Sequence, residues 1–190
     1  YEKLDLLGNL MSIGKLAELK TVVRGAEVKI GAMVSHYDIE ADSWLAEHVP
    51  MLNAACREVG AAQIRHQGTI GGNIGNASPA ADSVPPLIAL DAVVELASAG
   101  GVREMPLAEF FIGPGQTKRD SAELITGLRF KCPGPAQGGS FIKVGKRKAL
   151  AIATASIAVF VTLAGGKLTD VRICLGSVAP VPYRAVQTEA

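Results

Sequence analysis

Glycines, small polar side chains and one carboxylate are concentrated in residues 68–82, whose sequence is GTIGGNIGNASPAAD. Because glycine has no Cβ, such a segment can adopt positive φ and bring successive backbone N–H groups close to an anion. Thr69, Asn73 and Ser78 can add neutral hydrogen bonds, and Asp82 can accept hydrogen bonds from sugar hydroxyls. This mixture of groups predicts a site for a ligand that contains both phosphate and polyol groups.

The spacing of this segment excludes two common phosphate-binding loops. A P-loop ends in a lysine followed by Ser or Thr, whereas no lysine or arginine occurs between His66 and Arg103. A Rossmann loop needs the pattern G-x-G-x-x-G directly after a strand, and the pair Gly71 and Gly72 stands in a different pattern.

A purely structural interpretation of the same segment stays open. Asp82 or Ser83 is a suitable N-cap for a following helix, and Pro85 suits the first turn of a helix. In that case residues 68–82 are a surface loop that contacts no ligand.

Composition limits the functions that the chain can perform. Its 190 residues are 48% hydrophobic, which is enough for a substantial core. The net charge is +1 and only 5% of the residues are aromatic, so the chain offers neither the charge nor the stacking surfaces that nucleic acid requires. Nucleic-acid binding is therefore not expected.

The three cysteines, Cys56, Cys132 and Cys174, show no C-x-x-C spacing. This argues against an iron–sulfur cluster, a zinc site or a disulfide framework in this chain. Mostly buried, reduced thiols of a cytoplasmic protein are expected instead.

Neither a signal peptide nor a membrane span is predicted. The uncharged run 149–164 is too short, and too rich in Thr, Ser and β-branched residues, to cross a bilayer. Because the chain begins at Tyr1 rather than methionine, we expect it to be a fragment of a longer protein.

The pattern before the glycine segment predicts two short strands around a glycine turn in residues 22–30. Asp42 and Ser43 then offer an N-cap, and apolar residues recur every three or four positions. This predicts one amphipathic helix that runs to about Ala62 and leads directly into residues 68–82. Its apolar stripe consists of Leu45, Val49, Leu52, Cys56 and Val59.

The pattern after the glycine segment predicts a short helix followed by strands. The helix is expected in residues 84–90, where its N-terminus would attract a bound anion. The clusters 133–135 and 138–139, rich in proline and glycine, are expected to break regular structure, which predicts a domain boundary near residue 135. The predicted strands are 92–97, 102–105, 123–129, 154–163 and 168–175.

The sequence TIGGN, at residues 69–73, is one of several stretches that are informative together. They are QIRHQGTIGGN at 63–73, ASPAAD at 77–82 and LIALDA at 87–92, with IGAMVS at 30–35, FFIGPGQT at 110–117, FIKVG at 141–145 and GSVAP at 176–180. Together, and in their order along the chain, they resemble the FAD-binding subunit of the molybdenum hydroxylases. This is the family of xanthine dehydrogenase, aldehyde oxidase and carbon monoxide dehydrogenase.

The resemblance implies an α+β fold of the PCMH/CO dehydrogenase flavoprotein type, with mixed and antiparallel sheets and flanking helices. Residues 1–135 would form the FAD-binding domain, with its N-terminal βαβ part largely missing. Residues 136–190 would be the truncated start of the CO dehydrogenase flavoprotein C-terminal domain, an antiparallel α+β unit. A second glycine-rich loop that family members carry upstream is not expected in this fragment.

The same resemblance implies FAD as the cofactor. The TIGGN residues would surround its diphosphate, Asp82 would hold a hydroxyl of its polyol or sugar, and three residues would make further flavin contacts. No catalytic or metal-ligating residue is implied. The implied FAD-binding residues are Thr69, Ile70, Gly71, Gly72, Asn73, Asp82, Val59, Ile125 and Lys143.

The resemblance also implies an electron-transfer subunit with two partners. Electrons from a molybdenum cofactor in a large subunit would pass through the [2Fe-2S] clusters of a small subunit to FAD, and then to NAD or another acceptor. The basic cluster Lys143, Lys146, Arg147 and Lys148 would either be a solvated face or help to dock an acceptor or partner. Many relatives carry an acidic residue just after this cluster, where residues 150–152 are Leu, Ala and Ile, so NAD dependence does not follow.

Two other functions stay open from sequence. One is a free-standing flavin oxidase of the same superfamily, and the other is a non-redox structural subunit that has lost its flavin.

Overall fold

A computed structural model describes residues 11–147 and 150–190. The first sheet has five strands in the order β1-β2-β7-β3-β4, and its strand pairs are antiparallel. These strands are β1 (Val22–Val23), β2 (Glu27–Gly31), β3 (Val93–Ser98), β4 (Gly101–Pro106) and β7 (Leu124–Lys131). The predicted strands in residues 22–30, 92–97, 102–105 and 123–129 are confirmed. A small pair, β5 (Phe111–Gly113) and β6 (Gln116–Thr117), lies between β4 and β7 in the chain.

The second sheet has four antiparallel strands in the order β11-β10-β9-β8. They are β8 (Gln137–Gly145), β9 (Ala153–Ala164), β10 (Lys167–Gly176) and β11 (Tyr183–Arg184). The predicted hairpin of 154–163 and 168–175 is confirmed, but the expectation that residues 138–139 break regular structure is wrong, because both lie within β8. A Cβ on Gly139 would stand 2.8 Å from Met51 Sδ and 2.9 Å from the Val159 carbonyl oxygen. Glycine is needed there for close packing and not for a turn.

Six short α-helices in the described part of the chain connect and cover the two sheets: α1 (His36–Ala41), α2 (Ser43–His48), α3 (Pro50–Arg57), α4 (Ala62–Gln67), α5 (Ile70–Asn76) and α6 (Val84–Ala89). The α+β class is therefore confirmed, as is the predicted helix in residues 84–90. Every residue of α6 is buried, and the helix packs against β9 and β10. One hydrophobic core consequently runs from the first sheet through α6 to the inner face of the second. No helix within the described residues is long and apolar enough to cross a membrane.

The prediction of one helix from Asp42 to about Ala62 is wrong. Asp42 does cap α2, since its side chain accepts a hydrogen bond from the Leu45 N–H at 3.0 Å. The helix then stops at Val49 (φ −135°, ψ 52°), because Pro50 restricts the residue before it and starts α3. A turn at residues 58–61 separates α3 from α4, which leads into the glycine segment. Four residues of the predicted apolar stripe, Leu45, Val49, Leu52 and Cys56, are nevertheless buried in the core, whereas Val59 is only half-buried.

Candidate functional site

The TIGGN sequence forms the first turn of α5 and not an extended loop. Thr69 is the N-cap, and its Oγ1 accepts a hydrogen bond from the Gly72 N–H at 3.1 Å. The Asn73 N–H donates to the Thr69 carbonyl at 2.9 Å, as in a regular helix. The helix ends after Asn76, where Ala77 adopts a left-handed conformation with φ 47°.

Backbone contacts fix the position of this turn. The Ile70 N–H donates to the Val34 carbonyl and the Gly71 N–H to the Ala32 carbonyl, both at 2.9 Å. A Cβ on Gly71 would lie 2.5 Å from Ala32 Cβ, so only glycine allows this approach. The predicted row of N–H groups directed at an anion is therefore not formed at these two positions, because the chain's own carbonyls accept both hydrogens.

An open cavity of about 330 Å³ adjoins this turn. It is lined by four of the residues that the resemblance implies for FAD binding: Thr69, Gly71, Gly72 and Ile125. Gly72 is exposed, and a Cβ there would meet only Thr69 Oγ1, at 3.0 Å. The Thr69–Gly72 end of α5 is thus accessible to a ligand. The rest of the lining is Ile13, Ala32, Met33, Arg119, Glu123 and Leu124.

Asp82 and Lys143 form a second, buried polar group. Lys143 Nζ donates to Asp82 Oδ2 at 2.6 Å and to the Glu58 carbonyl at 2.9 Å. Only 4% of the lysine side chain and 7% of the aspartate side chain are exposed. Val59, also implied by the resemblance, is half-buried directly beside Glu58.

The carboxyl group of Asp82 has spare acceptor capacity. Its Oδ1 is buried, and no group in the described part of the chain donates a hydrogen bond to it. Burial raises the pKa of Asp82 from 3.8 to about 6, while Lys143 acts in the opposite direction. A ligand hydroxyl would supply the missing donor.

The helix-cap interpretation of Asp82 and Ser83 is wrong. Ser83 occupies the N-cap position of α6, but neither side chain caps the helix. Asp82 bonds to Lys143, and the Ser83 hydroxyl donates to Asn73 Oδ1 at 2.7 Å. This last bond joins the α5 turn to the Asp82 group.

Lys143 is also not part of a solvated face, although Lys146 and Arg147 are exposed. These three residues line a cavity of about 760 Å³ together with Arg57 and Arg65. Lys148 lies outside the described residues.

Sequence reasoning did not identify Ser83, Arg119 or Ala32 as parts of the site. Ala32 lies in the IGAMVS stretch, so the family pattern could have suggested it. The other two depend on tertiary contacts that have no local pattern.

Two family models match the sequence. The FAD binding domain in molybdopterin dehydrogenase matches residues 2–130, and the CO dehydrogenase flavoprotein C-terminal domain matches residues 140–190. The chain is 36% identical to the glyceraldehyde dehydrogenase medium chain of Sulfolobus acidocaldarius over 187 residues, covering 97% of this chain and 64% of that protein. It is 33% identical to the carbon monoxide dehydrogenase medium chain of Afipia carboxidovorans, covering 94% of this chain and 61% of that one.

Solved structures show the same relationship. The Cu,Mo-CO dehydrogenase superposes with a TM-score of 0.86 at 31% identity, over 90% of this chain and 60% of that one. Quinoline 2-oxidoreductase from Pseudomonas putida 86 gives 0.84 at 26% identity, over 91% and 60%. The chain thus spans less than two thirds of the length of these relatives. It belongs to the family of FAD-binding domains of molybdopterin dehydrogenases, as its sequence motifs predicted, and its relatives are oxidoreductase subunits.

Proposed function

We propose that this chain is the FAD-binding, electron-transferring part of a molybdenum hydroxylase. The observation that carries the proposal is the accessible Thr69–Gly72 turn, joined through Asn73 and Ser83 to a buried carboxylate with an unused acceptor. Those two features match two of the chemical parts of FAD, the anionic diphosphate and the polyol chain.

The described residues fit this cofactor in specific ways. Gly72 would donate its N–H to the diphosphate, in exchange for the bond that it now makes to Thr69 Oγ1 at 3.1 Å. Asp82 Oδ1 would accept from a ligand hydroxyl, and Lys143, which holds the other carboxylate oxygen, would keep that acceptor in place. Ile125 would provide an apolar contact. When bound, FAD supplies the capacity to take up electrons and pass them on, and the protein's part is to bind and orient it.

The proposal includes partners that this chain does not contain. Relatives named as medium chains or medium subunits support an assembly with a [2Fe-2S] small subunit and a molybdenum-containing large subunit. The electron acceptor would be NAD or another oxidant, and the location cytoplasmic. The two family models, which end at residue 130 and begin at residue 140, support a division of the chain near residue 135.

Binding of FAD is tested by fluorescence titration of the flavin-free protein and of two glycine variants. Gly72→Val places a branched side chain at the accessible turn, and we expect it to abolish binding. Gly138→Val is the matched control, because a Cβ there meets nothing within 4 Å. Loss of FAD affinity in both variants, or in neither, would show that the Gly72 turn is not part of the FAD-binding site.

The role in electron transfer is tested in the assembled complex. Substrate should bleach the flavin absorbance only when the iron–sulfur and molybdenum subunits are present. Flavin reduction by a small organic substrate in this protein alone would support the free-standing oxidase instead. A full-length protein that binds no FAD would support the alternative that this chain is a non-redox structural subunit.

A further inference from the structure

Ser83 is completely buried, and its hydroxyl makes a hydrogen bond to another element and not to the backbone of its own helix. Its exposed fraction is 0%, and although it occupies the N-cap position of α6, its side chain makes no capping bond. The hydroxyl instead donates to Asn73 Oδ1 at 2.7 Å, across ten residues of chain.

In the structure, this bond engages the oxygen of the Asn73 carboxamide and leaves its amino group free. A carboxamide has one acceptor oxygen and one amino group with two donors. Because Ser83 holds the oxygen, the amino group is directed away from Ser83, and nothing among residues 11–147 and 150–190 accepts from it. Asn73 is only half-buried and follows the exposed Gly72, so a ligand can reach this amino group.

A second observation at the adjacent residue points to a ligand. Asp82 Oδ1 is buried without a donor, while Oδ2 is held by Lys143. The contacts of residues 82 and 83 therefore leave two polar groups without hydrogen-bond partners: a donor on Asn73 and an acceptor on Asp82. A ligand with an anionic part and a hydroxyl part satisfies both.

We propose that Ser83 is a positioning residue for FAD. By holding Asn73 Oδ1, it presents the Asn73 amino group, and not its carbonyl, to the anionic diphosphate. With the carboxamide turned the other way, the carbonyl oxygen would face the phosphate oxygens and repel them. This inference rests on the proposed function, because it assumes that FAD occupies the site.

The test is a double-mutant cycle read out as FAD affinity of the full-length protein. A hydrogen bond to a charged group is worth roughly tenfold or more in affinity, so we expect Ser83→Ala and Asn73→Ala each to weaken binding by about that factor. If Ser83 acts through Asn73, the double variant should bind no more weakly than Asn73→Ala alone. A purely structural role for Ser83 would make the two losses multiply.

Two further variants separate positioning from folding. Ser83→Thr keeps the hydroxyl and should restore most of the affinity even if it lowers the melting temperature. Asn73→Asp still accepts from Ser83 but presents a carboxylate oxygen in place of the amino group, so it should weaken binding more than Asn73→Ala. Ser156→Ala removes another buried serine hydroxyl, in β9, and should leave FAD affinity unchanged.

The outcomes distinguish this inference from the proposed function. Failure of the unmodified protein to bind FAD overturns both. Normal FAD binding with unchanged affinity in Ser83→Ala, or with independent losses in the cycle, overturns only the role of Ser83.

Discussion

Removing Lys143 should destabilise the protein far more than removing an exposed lysine. The Lys143→Met variant leaves Asp82 without its cation in a site where 7% of the aspartate side chain is exposed. Breaking a buried ion pair by removing one partner typically costs about 3–5 kcal/mol, and we expect a loss of this size at pH 7. Lys29→Met is the control, because its 3.8 Å pair with Glu27 is exposed and should contribute less than about 1 kcal/mol.

The stability lost in Lys143→Met should be larger at pH 7 than at pH 5. Burial raises the pKa of Asp82 to about 6, above its value of 3.8 in an unfolded chain. The folded state therefore binds more protons between these pH values, and this group lowers stability as pH rises through the window. Without Lys143 the pKa of Asp82 should rise further, so the variant should lose less stability at pH 5, where the carboxyl group is protonated, than at pH 7.

Urea unfolding of the flavin-free protein at both pH values measures these differences. The double variant with Asp82→Asn has no buried charge left and should recover part of the stability that Lys143→Met loses. A loss in Lys143→Met that equals the loss in Lys29→Met, or that is the same at pH 5 and pH 7, would show that Lys143 and Asp82 do not form a buried ion pair.

Three other substitutions or modifications test the packing of buried residues. Gly71→Ala should destabilise by about 1–3 kcal/mol in urea unfolding, since its Cβ has no space, whereas Gly138→Ala should be tolerated; equal effects would contradict the close packing of α5. Asn53→Ala should cost about 1–3 kcal/mol in a thermal melt, because the buried amide holds two carbonyls at the end of α1 at 2.8 and 2.9 Å. Burial raises the pKa of Cys174 to about 12, so a thiol reagent at pH 8 should label Cys174 more slowly than the half-buried Cys132 in the folded protein. Mass spectrometry measures both rates, and faster labelling of Cys174 would contradict its burial.

Local patterns predicted most of the elements because each rests on short-range chemistry. The hairpin of β9 and β10 followed from β-branched runs around Gly165 and Gly166, both of which adopt positive φ. The break between α2 and α3 was missed because the apolar periodicity continues across it, although Pro50 was a visible signal.

The site could be predicted only in part, because its two halves meet through tertiary contacts. Thr69 is a helix cap by its own chemistry, and the TIGGN pattern located the turn. The pairing of Lys143 with Asp82 joins residues 61 positions apart, and the bond from Ser83 to Asn73 depends on how α6 packs. Neither contact has a sequence period that would reveal it, so Ser83 was interpreted only as a helix cap.

The most direct test of this account is a crystal structure of the protein with FAD. We expect the diphosphate within hydrogen-bond distance of Gly72 N and Asn73 Nδ2, and a ligand hydroxyl donating to Asp82 Oδ1. Well-ordered FAD that contacts neither the α5 turn nor Asp82 would contradict it.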